Sequence, residues 1–342
     1  MLLVLLQHAN LPEGGWILTF HMPLFFLLSG YLESFREQKT AFLSYMKPKL
    51  FRLLLPYFLF EGVNLLLWMA YQAKFGIHQN VWDSLLSVFL CTNKYYTGFY
   101  GRLWFWPCLF VCEMYFYWIR KWTKDNKGLL CLAASIMLGL SWCTSQLEVR
   151  LPLAMDTACM AAVFFIAGFV MKDGIRWLIE QKIWMLDVLI GSAFLYLLRK
   201  SVLDGGGYYL MFENRYGPLL WSVLGAFSGS GIFLIGTKWL YRLLNRIQLG
   251  KQLILWYGTN SLAVFPVHLA IKTVIADILF YRVLASNIGI LMRYSEHMIA
   301  WYVLFPAMLF GSIPIVNVIT CYFPVLLGKM PGKVRLLTNR PE

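Results

Sequence analysis

The chain has 342 residues, of which 59% are hydrophobic and 14% charged, with a mean hydropathy of +0.61. Soluble domains carry about 25% charged residues, so this composition excludes a water-soluble core and indicates an all-α, polytopic transmembrane helical bundle. The formal net charge of +13 resides in short loops between apolar runs, which is the pattern of membrane topology selection and not of nucleic-acid binding.

A helix needs about 20 apolar residues to cross the hydrocarbon. Nine stretches qualify: 16–35, 51–72, 103–119, 129–147, 153–171, 183–199, 217–237, 253–280 and 299–327. Met1 to Leu6 reads as the last turns of a further helix that begins upstream of Met1, giving about ten spans. It has neither the basic start nor the small-residue cleavage site of a signal peptide. No polar linker divides the chain, so residues 1–342 are expected to form a single membrane domain surrounded by lipid.

Loop charges set the expected orientation. With the N-terminus cytoplasmic and ten crossings, 20 of the 30 Lys and Arg fall inside. They include Arg36, Lys39, Lys47, Lys49 and Arg52, then Arg120 to Lys127, Lys172 to Lys182, Lys238 to Lys251 with Arg246, and the tail residues Lys329, Lys333, Arg335 and Arg340. Both termini are therefore expected in the cytoplasm, with the protein in a plasma (inner) membrane. Two longer outer segments follow. Residues 73–102 carry Trp82, Leu85, Leu86 and Phe89 beside Asp83 and Ser84, as an amphipathic helix lying on the membrane would. Residues 200–216 hold Gly205, Gly206 and Gly207 ahead of Glu213, Asn214 and Arg215, a pliable loop with a polar trio.

Ionisable groups inside a span cost about 2.5–3.5 kcal/mol at its centre, which makes them the first candidates for function. They are His8, His21, Glu61, Glu113, Asp156, His268, Lys272 and Asp277. His8 and His21 are separated only by a short loop between consecutive helices, so both imidazoles are expected at one depth near the outer side. Such a pair serves either as general base and partner or as interhelical glue. Asp156 enters its span from the same side; it either orients an imidazole or is an acid favoured by a helix N-terminus. Glu113 and His268 lie mid-span, and Pro266 is expected to kink the helix that carries His268. Lys47, Lys49 and Arg52 stand before Pro56 at an inner mouth, where they either hold a phosphate or anchor the loop.

The seven cysteines form no metal or redox spacing, and no metal is expected. No phosphate-binding loop, dinucleotide fingerprint, zincin motif or nucleophile elbow is present. From the residues alone, an enzyme and a transporter or flippase with a proton relay both remain open. Paired broken helices in inverted repeats would favour the transporter, and no internal repeat is visible.

The run Phe20-His21-Met22-Pro23-Leu24-Phe25-Phe26-Leu27-Leu28-Ser29-Gly30-Tyr31 resembles the F-H-M-P-L-F-F-x-x-S-G signature of acyltransferase family 3. His8 stands where that family has its first-helix histidine, and Lys49-x-x-Arg52 before Pro56-Tyr57 is similar to its basic R-x-x-R stretch, with Lys in place of the first Arg. Leu103-Trp104-Phe105-Trp106-Pro107 through Glu113, Leu151-Pro152 with Asp156, and Gly258-Thr259-Asn260-Ser261-Leu262 ahead of His268 resemble later family landmarks in the expected order. The early basic and acidic residues of the family's first helix have no counterpart here.

The resemblance implies transfer of an acyl group, foremost acetyl, from cytoplasmic acyl-CoA (acetyl-CoA) as co-substrate. The acceptor it implies is a hydroxyl of an extracytoplasmic glycan or lipid-linked sugar. In that scheme His8 is the general base, Asp156 orients or stabilises its imidazole, and His21 positions the acceptor or the carbonyl. Lys49 and Arg52 hold the CoA phosphates, while Glu113, Asn260, Ser261 and His268 are substrate-facing or structural polar groups.

Overall fold

A computed structural model describes residues 1–9, 11, 15–37, 41–75, 80–91, 103–147, 150–205, 210–245, 247–272 and 298–328. Asp277, Lys39, Arg246, Gly206, Gly207, the stretch 92–102 and the tail cations Lys329, Lys333, Arg335 and Arg340 lie outside the described residues.

The described chain is helical, with one isolated bridge between Leu210 and Arg215. In order the helices are α1 (Leu2–His8), α2 (Gly15–Leu18), α3 (His21–Glu33), α4 (Phe42–Lys49), α5 (Leu55–Phe75), α6 (Val81–Leu90), α7 (Phe105–Thr123) and α8 (Lys127–Ser145). Then come α9 (Met155–Val170), α10 (Lys172–Glu180), α11 (Trp184–Asp204), α12 (Leu219–Leu244), α13 (Gln248–Thr259), α14 (Ser261–Lys272) and α15 (Met298–Tyr322). Among the described residues, six helical segments are long and apolar enough to cross a membrane, or seven if α13 and α14 count as one bent span. Helices α7 and α11 match the expected spans in length but carry more charge, Glu113 with Arg120 and Lys121 in one and Asp187 with Arg199 and Lys200 in the other.

Helix α9 is the hub. It is the most deeply buried of the spans and packs on α3, α7 and α8. Small residues make this possible: Ala158, Ala161 and Ala162 are fully buried on α9. Two glycines bring α3 and α9 backbone to backbone. A Cβ on Gly30 would stand 1.8 Å from the Phe165 carbonyl oxygen, and one on Gly168 would stand 1.9 Å from that of Leu27. Large apolar side chains point outward instead: Leu132, Ile136 and Trp142 on α8, and Leu189 and Leu195 on α11, are exposed. In water that surface would be an aggregation liability; in a bilayer it is the lipid face.

Helix α6 has the expected amphipathic character, with its apolar side turned out. Val81, Trp82, Leu85, Leu86 and Phe89 are exposed, while Ser84 and Ser87 are buried against the bundle.

The expected span 253–280, described as far as Lys272, is broken at a different residue from the one expected. Helices α13 and α14 meet at 95°. The corner is Asn260, not Pro266, which sits inside α14. The Asn260 side-chain amide donates to the Trp256 carbonyl at 3.0 Å and so closes the end of α13, while its own carbonyl accepts from the Val264 amide at 2.9 Å and opens α14. Asn is suited to such a corner because its side chain competes for backbone groups that a continuous helix would use.

Candidate active site

Two cavities gather five of the polar residues singled out above, His8 with His21 in one and Lys49, Arg52 and Glu113 in the other. The first, about 70 Å³, is lined by His8 and His21 with Val4, Gln7, Leu18, Met22, Trp104, Phe265 and the 210–212 segment. The proximity of His8 and His21 expected from the short loop is therefore present. His21 starts α3, is 5% exposed, and its Nδ1 lies 2.8 Å from the Ile17 carbonyl. A carbonyl only accepts, so Nδ1 carries the proton and the neutral ring keeps its lone pair on Nε2. His268 joins the pair from α14: its ring centroid is 5.2 Å from that of His8. It is fully buried, and its Nδ1 is held by the Val264 carbonyl at 3.1 Å. Its Nε2 has no hydrogen-bond partner among the described residues.

Asp156 lies in the first turn of α9, as an acid at a helix N-terminus would. Its carboxylate, 1% exposed, is bonded to a guanidinium: Arg150 Nε donates to Oδ2 at 2.5 Å and Nη2 to Oδ1 at 3.3 Å. The Thr157 amide adds a bond to Oδ1 at 2.8 Å. Arg150 Nη1 continues to the carbonyl of Phe212, a residue of the histidine cavity wall, at 2.7 Å. Arg150 thus links Asp156, in the first turn of α9, to that wall. The backbone explains how. Leu153 and Ala154 take φ of 54° and 56°, a left-handed turn after Pro152 that folds Arg150 back over the start of α9. Non-glycine residues in this region cost about 1–2 kcal/mol each, and the Arg150–Asp156 contact holds the turn closed.

The second cavity, about 400 Å³, is lined by Lys49 and Arg52 with Arg36, Glu33, Glu37, Glu113, Tyr45, Ser29, Leu109 and Leu262. Lys49 ends α4 and Arg52 lies in a π-helical turn, Leu50–Leu54, in which the Leu55 amide reaches the Leu50 carbonyl. Such turns are rare and recur at functional sites. Pro48 and Pro56 flank it and withhold the amides that a regular ladder needs. Lys49 is not free: Nζ is 2.8 Å from Glu113 Oε1 and 3.8 Å from Glu33 Oε2, above the Tyr45 ring at 4.2 Å. Glu33 is also paired with Arg36 at 3.1 Å. The lining thus sets three carboxylates against three cations, and an entering phosphate must displace Glu113 from Lys49 to use that charge. Of the remaining expected site residues, Asn260 forms the corner described above and Ser261 begins α14 beside Leu262.

A family model described as an acyltransferase domain matches residues 5–321. The chain belongs to acyltransferase family 3. No curated protein and no solved structure matches it. The match makes the chain an acyltransferase of the multi-pass membrane type and covers the lining of both cavities except Val4.

Sequence reasoning missed two parts of this acyltransferase. Arg150 is not among the expected site residues, although an arginine six residues before a span acid, with Pro152 between, is a readable signal for a folded-back pair. Lys238 is expected among the inner-loop cations. It is buried and paired with Asp187 at 2.6 Å, and it donates to the carbonyls of Leu178 and Gln181. Trp239 Nε1 adds a bond to the same aspartate at 2.9 Å.

Proposed function

We propose that this acyltransferase moves an acyl group, acetyl foremost, from cytoplasmic acyl-CoA to a hydroxyl of an extracytoplasmic glycan or lipid-linked sugar. The observation that carries the reading is the pairing of cavities: a wide one with Lys49 and Arg52 and a small one with His8 and His21, both bordered by α3, α14 and the start of α7. A nucleotide thioester needs the first chemistry and deprotonation of a hydroxyl needs the second.

In the proposed step His8 takes the proton of the acceptor hydroxyl as its oxygen attacks the thioester carbonyl. The carbon–sulfur bond then breaks, the new ester keeps the acyl group, and the CoA thiolate leaves and takes up a proton. His21, with its proton fixed on Nδ1, offers Nε2 as an acceptor and is suited to position the hydroxyl rather than the carbonyl. Asp156 and Arg150 keep the cavity wall at Phe212 in place. Lys49 and Arg52 hold the donor phosphates after Lys49 exchanges its partner Glu113.

The test is acyl transfer from radiolabelled acetyl-CoA in membranes expressing the chain, beside His8→Ala. Loss of a positioned general base is expected to lower the rate by about 10²–10⁴-fold with the protein still folded. Equal label from both proteins removes His8 from the chemistry, and label in neither across several acyl-CoA donors overturns the reading.

A further inference from the structure

The two cavities nearly meet. On α14, Leu262 lines the cation cavity and Phe265 the histidine cavity, an axial separation of about 4.5 Å. On α7 and its N-cap the corresponding pair is Leu109 and Trp104, about 7.5 Å apart along the axis. On α3 it is Ser29 and Met22, about 10 Å apart. One to two helical turns therefore separate the cavities, and three rings fill this level of the bundle. Phe26 is fully buried, and Phe105 and Phe265 are 5% and 6% exposed. The Phe26 and Phe105 centroids are 5.3 Å apart, and those of Phe105 and Phe265 are 5.7 Å apart. The chain of rings continues from Phe265 to His268 at 5.8 Å and from His268 to His8 at 5.2 Å.

We infer that the Phe26–Phe105–Phe265 partition is the passage through which the acyl end of the donor reaches the histidine cavity, and that its rings select acyl length. The inference rests on the proposed function, which puts the donor in the cation cavity. The size difference supports it: about 400 Å³ on the cation side against about 70 Å³ on the histidine side. A nucleotide fits only the first, and only a short acyl group fits the second. The partition is apolar, so rotation of a ring breaks no hydrogen bond. A two-carbon group needs a small displacement, whereas each added methylene needs volume that close-packed rings do not leave. The partition is also hung on a break. Phe265 lies five residues after the Asn260 corner, where α14 turns 95° from α13.

Acetyl, butyryl and octanoyl transfer from the matching acyl-CoA thioesters would be compared in membranes bearing the wild-type chain, Phe105→Ala and Phe265→Ala. The control is Phe227→Ala on α12, whose ring packs on Phe164 of α9. The butyryl-to-acetyl ratio is expected to rise about tenfold in the two partition variants, equivalent to about 1.4 kcal/mol, and to stay unchanged in the control. Phe105→Leu and Phe265→Leu are expected to shift it in the same direction by less, and they decide the matter if the alanine variants fail to accumulate in the membrane. A ratio unchanged in the partition variants while wild type transfers acetyl overturns the passage and leaves the function standing. No transfer by wild type from any thioester overturns the function, and the passage with it.

Discussion

Arg150 donates from Nε to Asp156 at 2.5 Å and from Nη1 to the Phe212 carbonyl at 2.7 Å, so one guanidinium joins a buried acid to a wall of the histidine cavity. The arrangement satisfies both oxygens of a carboxylate that is 1% exposed. Removing one member leaves an uncompensated buried charge. Asp156→Ala and Arg150→Ala are each expected to destabilise the detergent-solubilised protein by about 3–5 kcal/mol, and the double variant by clearly less than the sum. Thermal melts of the three variants measure this; strict additivity would mean that the two side chains do not interact.

Glu113 and the incoming donor compete for Lys49. Glu113→Gln removes the negative charge 2.8 Å from Lys49 Nζ and is expected to lower the KM for acyl-CoA several-fold. Lys49→Ala combined with Arg52→Ala is expected to raise it with a smaller effect on kcat. A higher KM in Glu113→Gln would instead give Glu113 a direct contact with the donor.

Gly30 belongs to the Ser29-Gly30 end of the α3 motif, and its place in the fold accounts for the residue type. A methyl group there would meet the Phe165 carbonyl at 1.8 Å, a backbone atom that cannot rotate away. Gly30→Ala is expected to cost about 1–3 kcal/mol by forcing α3 and α9 apart. Gly62→Ala on α5, with open space around it, is expected to be neutral or slightly stabilising. Similar melting temperatures for the two variants would rule out the close α3–α9 approach.

The Lys238–Asp187 pair ties α12 to the start of α11 and, through the carbonyls of Leu178 and Gln181, to the end of α10. Lys238→Ala is expected to destabilise by about 3–5 kcal/mol, whereas Lys238→Met with Asp187→Leu, which removes both charges and keeps the volume, is expected to recover most of the loss. Loss without recovery in a melting series would mean that the carbonyl and Trp239 contacts outweigh the pair itself.

Composition and apolar run length were sufficient for the fold class, because a backbone in hydrocarbon must satisfy its own hydrogen bonds and a long apolar run leaves helix as the answer. Local order was sufficient for the nearness of His8 and His21, since a short loop between two helices brings their ends together. The helical regions 16–35, 51–72 and 153–171 were legible for the same reason. The Asn260 corner was not, because a broken span and a straight one have the same hydropathy, and Pro266, a stronger helix breaker than asparagine, stands in the same stretch.

The sequence by itself determined an all-helical membrane chain, the residue types available for chemistry, and the ordered motifs that mark its family. Only the tertiary structure decided the partners: Asp156 with Arg150, Lys49 with Glu113, Lys238 with Asp187, and His268 beside His8. Span-forming apolarity is a property of one segment and can be read along it. Ion pairs and ring contacts join side chains from different segments or across a folded-back turn, and the packing of α3, α7, α9 and α14 selects among many pairings the sequence leaves equal.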